Sequence, residues 1–376
     1  MIIKRNDSSS IASYLGQFDL HNHSFSHCVF EAAHTNGKKI EWDKTHLDEK
    51  IDFIIGRLKA IMQTAMQNNV RVLGITEHTQ YTKYNVPYSR YKHIFQTLRS
   101  QFEGFIDKMV WGLEIDLQIT EDKKPFINED EIGNQSVGAK ELLLYDADII
   151  IGSMHPYKPW KYDQMPNEEK QKKKIVDYDN ILYSIKSCDD YFELTINALK
   201  ELGSLRRRLD GFGQRKKAFV YGHPWGAAWM ANKRAYEHIK CGDKDIRMNK
   251  DHPLYNDFQR FLWGPTAPGE AEAPIKFFTH DQLVAIADAH IDNGIYPEVN
   301  CNYIINRGAS ECMAPQKLET LLSVYLRRCM ERNVAPYISV GSDAHAPSEL
   351  RAFDLQHIVT KDPSLTNALV WAETIS

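Results

Sequence analysis

Short apolar runs alternate with longer segments of helical periodicity along most of the chain. Seven runs have the length and composition of buried strands, and they cover Gln17–His21, Val70–Thr76, Met109–Ile115, Ala147–Ser153, Ala218–Gly222, Gly294–Val299 and Tyr337–Gly341. Between the first two runs, apolar residues from Ile51 to Ala65 recur at helical spacing and predict an amphipathic helix. Further helices are predicted at Tyr191–Leu209, Asp281–Asn293 and Leu318–Arg332. Strands that alternate with helices favour parallel pairing, so the pattern predicts an α/β fold.

Residues of metal-ligand type stand at the ends of six of the seven runs. They are His21-Asn22-His23, Glu77-His78, Glu114, His155, His223 and Asp343-Ala344-His345. In a TIM-like barrel the carboxyl ends of the strands meet at one face, where such enzymes build their sites. One shared metal site explains the repeated placement better than unrelated core histidines do. Imidazole and carboxylate ligands suit Zn²⁺, Mn²⁺ or Fe, and the sequence leaves that choice open.

Composition and charge narrow the class of protein. The chain has 376 residues, of which 43% are hydrophobic and 26% charged, so disordered, collagen-like and coiled-coil proteins are disfavoured. A net charge of −4 argues against nucleic-acid binding through bulk positive charge. The N-terminus lacks the apolar segment of a signal peptide, and no apolar run approaches the ~18 residues of a membrane span. We therefore expect a cytoplasmic protein without a membrane partner, and its six scattered cysteines favour reduced thiols.

Two long connections are predicted as insertions in one elaborated domain that covers residues 1–376. They lie near 158–217 and 227–276. The first contains the basic runs Lys172-Lys173-Lys174 and Arg206-Arg207-Arg208. Such runs either lie on a solvated helix face or guide a nucleic-acid strand, and the solvated face is favoured.

The motifs at the strand ends resemble those of the PHP (polymerase and histidinol phosphatase) superfamily. They read Asp19-Leu20-His21-Asn22-His23, Gly74-Ile75-Thr76-Glu77-His78, Gly112-Leu113-Glu114, Gly152-Ser153-Met154-His155, Gly222-His223-Pro224 and Gly341-Ser342-Asp343-Ala344-His345. The resemblance runs through the whole chain in order. It implies a distorted (β/α)₇ TIM-like barrel with long loop insertions, which agrees with the count of seven runs.

The resemblance also implies a cluster of two to three divalent metal ions. His21, His23, Glu114 and Asp343 would hold one ion, and Glu114 would bridge to a second ion held by His155 and His223. A third ion would take His78, His345 and His27. The spacing from His23 to His27 is shorter than in several relatives, so Cys28, His34 or a water molecule are alternatives to His27. Asp19 and Glu77 would orient histidines rather than bind metal, and a solvated or salt-bridged carboxylate is an equal alternative for Glu77.

A further stretch is similar to the segment that helps to surround the substrate in histidinol-phosphate phosphatases. It runs from Glu298-Val299-Asn300 through Asn302 and Tyr303 to Asn306-Arg307-Gly308. Arg307 is accordingly predicted to grip phosphate oxygens, beside Glu114 and Asp343 as the other catalytic residues, and a surface salt bridge is the alternative for Arg307.

The predicted function is a metal-dependent phosphoesterase, a hydrolase that acts on a small phosphorylated substrate. A metal-bound hydroxide attacks the phosphorus of a phosphate monoester, as in histidinol-phosphatase-like enzymes. One alternative is a PHP-type nuclease that cleaves DNA or RNA. Another is a metal-stabilised interaction module without turnover. The identity of the substrate and the oligomeric state stay open.

Overall fold

A computed structural model describes twelve stretches of the chain. They are residues 17–24, 34–35, 38–39, 46–78, 88–119, 124–127, 147–154, 188–210, 217–222, 278–300, 314–350 and 369–370. Of the two predicted insertions, the structure describes residues 188–210 and 217, and 227–276 lie outside the described residues.

The described strands form one large sheet and one small pair. In chain order they are β1 (Phe18–Asp19), β2 (His34–Thr35), β3 (Lys38–Lys39), β4 (Val72–His78), β5 (Lys108–Ile119), β6 (Pro125–Ile127), β7 (Ile149–Ser153), β8 (Ala218–Tyr221), β9 (Tyr296–Asn300), β10 (Tyr337–Gly341) and β11 (Leu369–Val370). Eight of them pair in parallel in the order β1-β4-β5-β7-β8-β9-β10-β11, and the first seven form the barrel-like sheet. The antiparallel β6 extends β5, β11 joins β10, and β2 pairs with β3 alone.

The first and last strands of the seven approach each other, so the sheet is nearly closed. The amide of Leu20 donates to the carbonyl of Val340 at 2.8 Å, and the amide of Asp343 donates to the carbonyl of His21 at 2.8 Å. A parallel bridge between Asn22 and Ala344 continues this contact. The described residues thus confirm the α/β class and the barrel-like parallel sheet of seven strands that the sequence predicts.

Five long helices accompany the strands in the described residues. They are α1 (Leu47–Gln67), α2 (Tyr88–Gln101), α3 (Cys188–Asp210), α4 (His280–Asn293) and α5 (Ala314–Glu331). Four of them overlap the predicted helices. The helix α2 was not predicted. Its buried side chains Ile94, Phe95 and Leu98 have the spacing that could have revealed it.

Local sequence explains where the helix α4 begins and ends. Thr279 caps α4 through a reciprocal pair of hydrogen bonds with Gln282, and Gly294 ends it in the left-handed conformation at φ 62°. The helix α3 packs against α4, and α4 against α5. Their apolar sides join those of the strands in one buried core. Within the described residues no helix combines the length and the apolar composition that a membrane crossing requires.

Candidate metal centre

Six predicted ligands of the described chain meet at the carboxyl ends of four parallel strands. His21 and His23 follow β1, His78 ends β4, Glu114 lies on β5, and Asp343 with His345 follows β10. Because parallel strands place their carboxyl ends at one edge, residues more than 300 positions apart come into contact, as His23 does with Asp343. His21, His23, His78 and Glu114 are buried, and the side chains of Asp343 and His345 are 13% and 24% exposed.

The first group of donors contains His21, His23, Glu114 and Asp343, whose ligand atoms all lie within 4.8 Å of one another. The Nε2 atom of His21 is 3.4 Å from Glu114 Oε1 and 3.5 Å from Asp343 Oδ1. The Nε2 atom of His23 is 3.2 Å from Glu114 Oε2 and 3.1 Å from Asp343 Oδ1. Two ligands at about 2.0–2.1 Å from a tetrahedral metal are about 3.3 Å apart. The separations in this group are therefore compatible with donor atoms around one ion.

The second group contains His23, His78 and His345, again with ligand atoms within 4.8 Å of one another. The ring of His23 stacks on that of His78 at 4.2 Å and on that of His345 at 4.5 Å. The Nδ1 atom of His78 lies 2.8 Å from Glu114 Oε2. His23 therefore belongs to both groups, and Glu114 contacts the second one. The resemblance had placed His23 with one ion and His78 with another, whereas the described residues form two overlapping groups.

Burial and charge shape the protonation of this centre. Burial opposes a charge on the His21 ring, but Glu298, Glu114 and Asp343 outweigh it and raise the pKa of His21 well above its ordinary value. Burial likewise opposes protonation of His23, and hydrogen bonds to Asp343 and Glu114 raise its pKa to about 9. These carboxylates thus favour positive charge among them. A metal cation supplies such charge and displaces the protons when it binds.

Other buried polar residues hold the ligands in place. Glu298 Oε1 lies 2.7 Å from His21 Nδ1. Glu77 accepts hydrogen bonds from the amide of Ser24, at 2.6 Å, and from its hydroxyl, so it fixes the segment after His23 and is not solvated. Asp19 accepts from the amide of Ser342 at 2.8 Å, and burial raises the pKa of Asp19 to about 7. The expected supporting role of Asp19 and Glu77 thus takes the form of contacts to the backbone beside the ligands.

The helix α1 ties together the segments that follow the first and last strands of the barrel-like sheet. Its Arg57 donates to the carbonyl of Ser24 at 3.0 Å and to the carbonyl of His345 at 2.8 Å. Asp343 adopts a positive φ of 54°, which Asp and Asn tolerate better than most residues. The turn after β10 therefore presents its carboxylate through an uncommon backbone conformation.

Several predicted site residues fall outside this description. His27, His155, His223 and Arg307 lie outside the described residues, as do Cys28 and the run Lys172–Lys174. The second ion expected from the resemblance, with its ligands His155 and His223, therefore stays a prediction. Glu298 is the contact that sequence reasoning missed, since it was assigned to the segment around the substrate. A charged residue inside a buried parallel strand was the signal that could have found it.

The basic run Arg206–Arg208 lies at the opposite end of the barrel. Arg206 donates to the carbonyl of Asn293 at 3.0 Å, and Arg207 donates to its side-chain oxygen at 3.4 Å. Asn293 ends α4 just before β9 begins. These arginines therefore lie near the amino ends of the strands, about 15 Å from the ligand-bearing ends for a five-residue strand.

Comparison with known proteins gives no assignment. No family model matches the chain, and no curated protein matches it significantly. The donor set itself fits a metal. It combines imidazole nitrogens and carboxylate oxygens in two groups, and the buried Nδ1 atom of His23 has no hydrogen-bond partner among the described residues.

Proposed function

We propose that the protein is a metal-dependent phosphoesterase of the PHP superfamily that hydrolyses a phosphate monoester. The observation that carries the proposal is the convergence of four histidines and two carboxylates in two overlapping groups at the carboxyl ends of the strands. In barrels of this kind that face is the usual place for catalysis. Divalent cations bound there would activate a water molecule and stabilise the charge of phosphoryl oxygens.

The residues of this chain would bind the ions and set the charge of the pocket. Glu114 offers Oε1 towards His21 and Oε2 towards His23 and His78, so one carboxylate serves both groups. Asp343 contributes the second carboxylate. Two or three dications would exceed the charge of these carboxylates and leave a pocket that attracts an anionic phosphate ester.

Arg307 is proposed to hold the phosphate oxygens. A guanidinium grips such oxygens through two parallel hydrogen bonds. Arg307→Ala should cost about 2–3 kcal/mol of transition-state stabilisation, the scale of a hydrogen bond to a charged group. The measurement is kcat/KM for the best monoester substrate.

A nuclease of the same superfamily is the rival function. The arginine run that would have guided a strand lies at the opposite end of the barrel and contacts α4. At this position, one of the two basic runs cannot contact a nucleic-acid strand at the metal centre. The monoesterase is therefore the better supported function.

The deciding experiment is a screen of the protein reconstituted with Zn²⁺, Mn²⁺ or Fe²⁺. Phosphate monoesters and labelled single-stranded oligonucleotides are offered side by side, with Glu114→Gln protein and chelator-treated protein as controls. Hydrolysis of monoesters that both controls abolish supports the proposal. Oligonucleotide cleavage without monoester hydrolysis would replace it by the nuclease, and tight metal uptake without turnover would leave the interaction module.

A further inference from the structure

We infer that Glu298 is a positioning residue, which fixes the ring of His21 so that Nε2 faces the metal ion. This inference rests on the metal centre of the proposed function. It assigns to Glu298 a task in ion binding instead of the contact with substrate that its sequence context favoured.

The contacts of His21 give each ring nitrogen a different neighbour. Nδ1 lies 2.7 Å from Glu298 Oε1, and both side chains are completely buried. Nε2 lies on the other side of the ring, 3.4 Å from Glu114 Oε1 and 3.5 Å from Asp343 Oδ1. A carboxylate accepts hydrogen bonds, so Glu298 requires a proton on Nδ1. When a cation is bound, Nε2 is then the nitrogen whose lone pair is available to it.

The neighbouring strands leave room for this pair. A Cβ atom on Gly341 would lie 2.3 Å from the Cβ of His21 and 3.0 Å from Glu298 Oε1. On the other flank, a Cβ atom on Gly222 would lie 3.6 Å from Glu298 Oε2 and 2.3 Å from Ser153 Oγ. Two glycines on β10 and after β8 thus border the carboxylate that β9 sends towards β1. Any side chain at position 341 would push His21 or Glu298 out of place.

The contact behind His21 differs from those of His23 and His345. His345 Nδ1 lies 2.8 Å from the backbone carbonyl of Asp343, a neutral acceptor. His23 Nδ1 has no hydrogen-bond partner in the described part of the chain. A charged acceptor increases the basicity of an imidazole ligand more than a carbonyl does. Glu298 therefore makes His21 a stronger imidazole donor than His23 or His345.

The test compares zinc affinity in two Glu298 variants and the unmodified protein. Competition with a chromophoric chelator measures the affinity for Zn²⁺ alone, without any substrate. Glu298→Met removes charge and acceptor together and should weaken zinc binding by about 10–100-fold, the range for residues that hold a ligand from behind. Glu298→Gln keeps an acceptor oxygen but no charge, so its loss should be smaller. Equal affinity in all three proteins would overturn the inference.

A second measurement keeps the inference testable if Glu298→Met fails to fold. Long-range ¹H–¹⁵N spectra of the zinc-loaded, unmodified protein should show the proton of His21 on Nδ1, and a proton on Nε2 would overturn the inference. Glu77→Gln is the matched control, because Glu77 is as buried as Glu298 and accepts from the amide of Ser24. It should leave the His21 tautomer unchanged.

The two possible failures are distinguishable. If the unmodified protein takes up less than one equivalent of zinc after reconstitution, the proposed function and this inference fall together. If it binds zinc tightly and the Glu298 variants bind equally well, only the inference falls.

Discussion

His21 and His290 are both buried histidines of the same barrel, and they occupy opposite chemical surroundings. His21 lies at the strand ends between Glu298 on one ring nitrogen and Glu114 with Asp343 on the other. His290 lies in α4, where Nδ1 is 2.8 Å from the carbonyl of Ile295 and the rings of Tyr221 and Tyr325 are 6.2 Å and 6.0 Å away. Its Nε2 has no hydrogen-bond partner among the described residues.

The two pKa shifts have opposite directions because the surroundings differ in charge and not in depth. Carboxylates raise the pKa of His21 in spite of its burial. Burial lowers the pKa of His290 to about 4, and the hydrogen bond to Ile295 offsets only part of that effect. Burial without a charged neighbour keeps a histidine neutral, as part of the packed core. Burial among carboxylates instead favours a positive charge at the site, which is supplied either by a bound cation or by a proton on the ring.

The largest effect is expected from removing the shared carboxylate of the strand-end region. Glu114→Gln should lower metal affinity and turnover by more than about 100-fold, beyond the range for residues that only support a ligand, since Glu114 contacts three histidines. His27→Ala, predicted to disturb only one ion, should lose less. Elemental analysis and the monoester assay measure both.

The control for that variant removes a carboxylate from the other end of the same strand. Asp107 precedes β5 and pairs with Arg71 at 2.6 Å, and its side chain is 57% exposed. Asp107→Asn should leave metal content unchanged and cost less than about 1 kcal/mol of stability, as exposed ion pairs do. Equal metal losses in both variants would contradict the role of Glu114.

The second effect concerns His290 and the dependence of stability on pH. In the unfolded chain its pKa returns to about 6.5, so the unfolded state binds a proton that the folded state refuses until about pH 4. The folded state therefore loses stability as the pH falls from 6.5 towards 4. Between pH 7 and 4.5 the contribution amounts to about 2–3 kcal/mol. Urea unfolding of metal-free protein at several pH values measures it.

His290→Gln should remove that part of the pH dependence and leave the rest. The tyrosines that face His290 do not interfere, because burial raises the pKa of Tyr221 and of Tyr325 and keeps both neutral. Exposed His93 on α2 provides the control. If His93→Gln and His290→Gln flatten the profile equally, the burial of His290 has no such effect.

The sequence predicts the strands and the ligand residues well, but not the contacts between the ligands. All seven strands of the barrel-like sheet overlap predicted runs, because buried parallel strands are continuously apolar and their ends carry His, Glu or Asp. Neither the sharing of His23 nor the pairing of Glu298 with His21 was predicted. Both depend on how β1 meets β9 and β10 across 277 or more residues, and no local pattern encodes that closure. Glu298 was assigned to the segment around the substrate, and its contact with His21 became visible only in three dimensions.

The backbone of β10 packs tightly against His21 at Gly341. Gly341→Ala should cost about 1–3 kcal/mol, typical of overpacking, since its Cβ would meet His21 at 2.3 Å. Among the described residues, Gly56 on α1 has no atom within 4 Å of the position of a Cβ. Gly56→Ala should therefore stabilise the protein by about 0.5–1 kcal/mol, because alanine favours a helix interior. Urea unfolding without metal measures both, and a neutral Gly341→Ala would contradict the close packing.

The smallest effect is expected at the far end of the barrel, where Arg206 and Arg207 contact the last residue of α4. Arg206 donates to the backbone carbonyl of Asn293, where its positive charge is favourable at the helix C-terminus, and Arg207 donates to the side chain of Asn293. The double variant Arg206→Gln/Arg207→Gln should therefore cost at most about 1–2 kcal/mol of stability. Metal content and monoester turnover should stay unchanged, because these arginines lie near the amino ends of the strands. Arg327→Gln, at an exposed position of α5, should stay within about 0.5 kcal/mol of the unmodified protein. The opposite outcome has two parts. The double variant keeps its stability but loses activity towards an oligonucleotide, and the slope of its log binding constant for the oligonucleotide against log salt concentration falls by roughly 0.7 per lost phosphate contact. In that case the arginines belong to a surface that binds a nucleic-acid strand. The nuclease would then replace the monoesterase as the function of this centre.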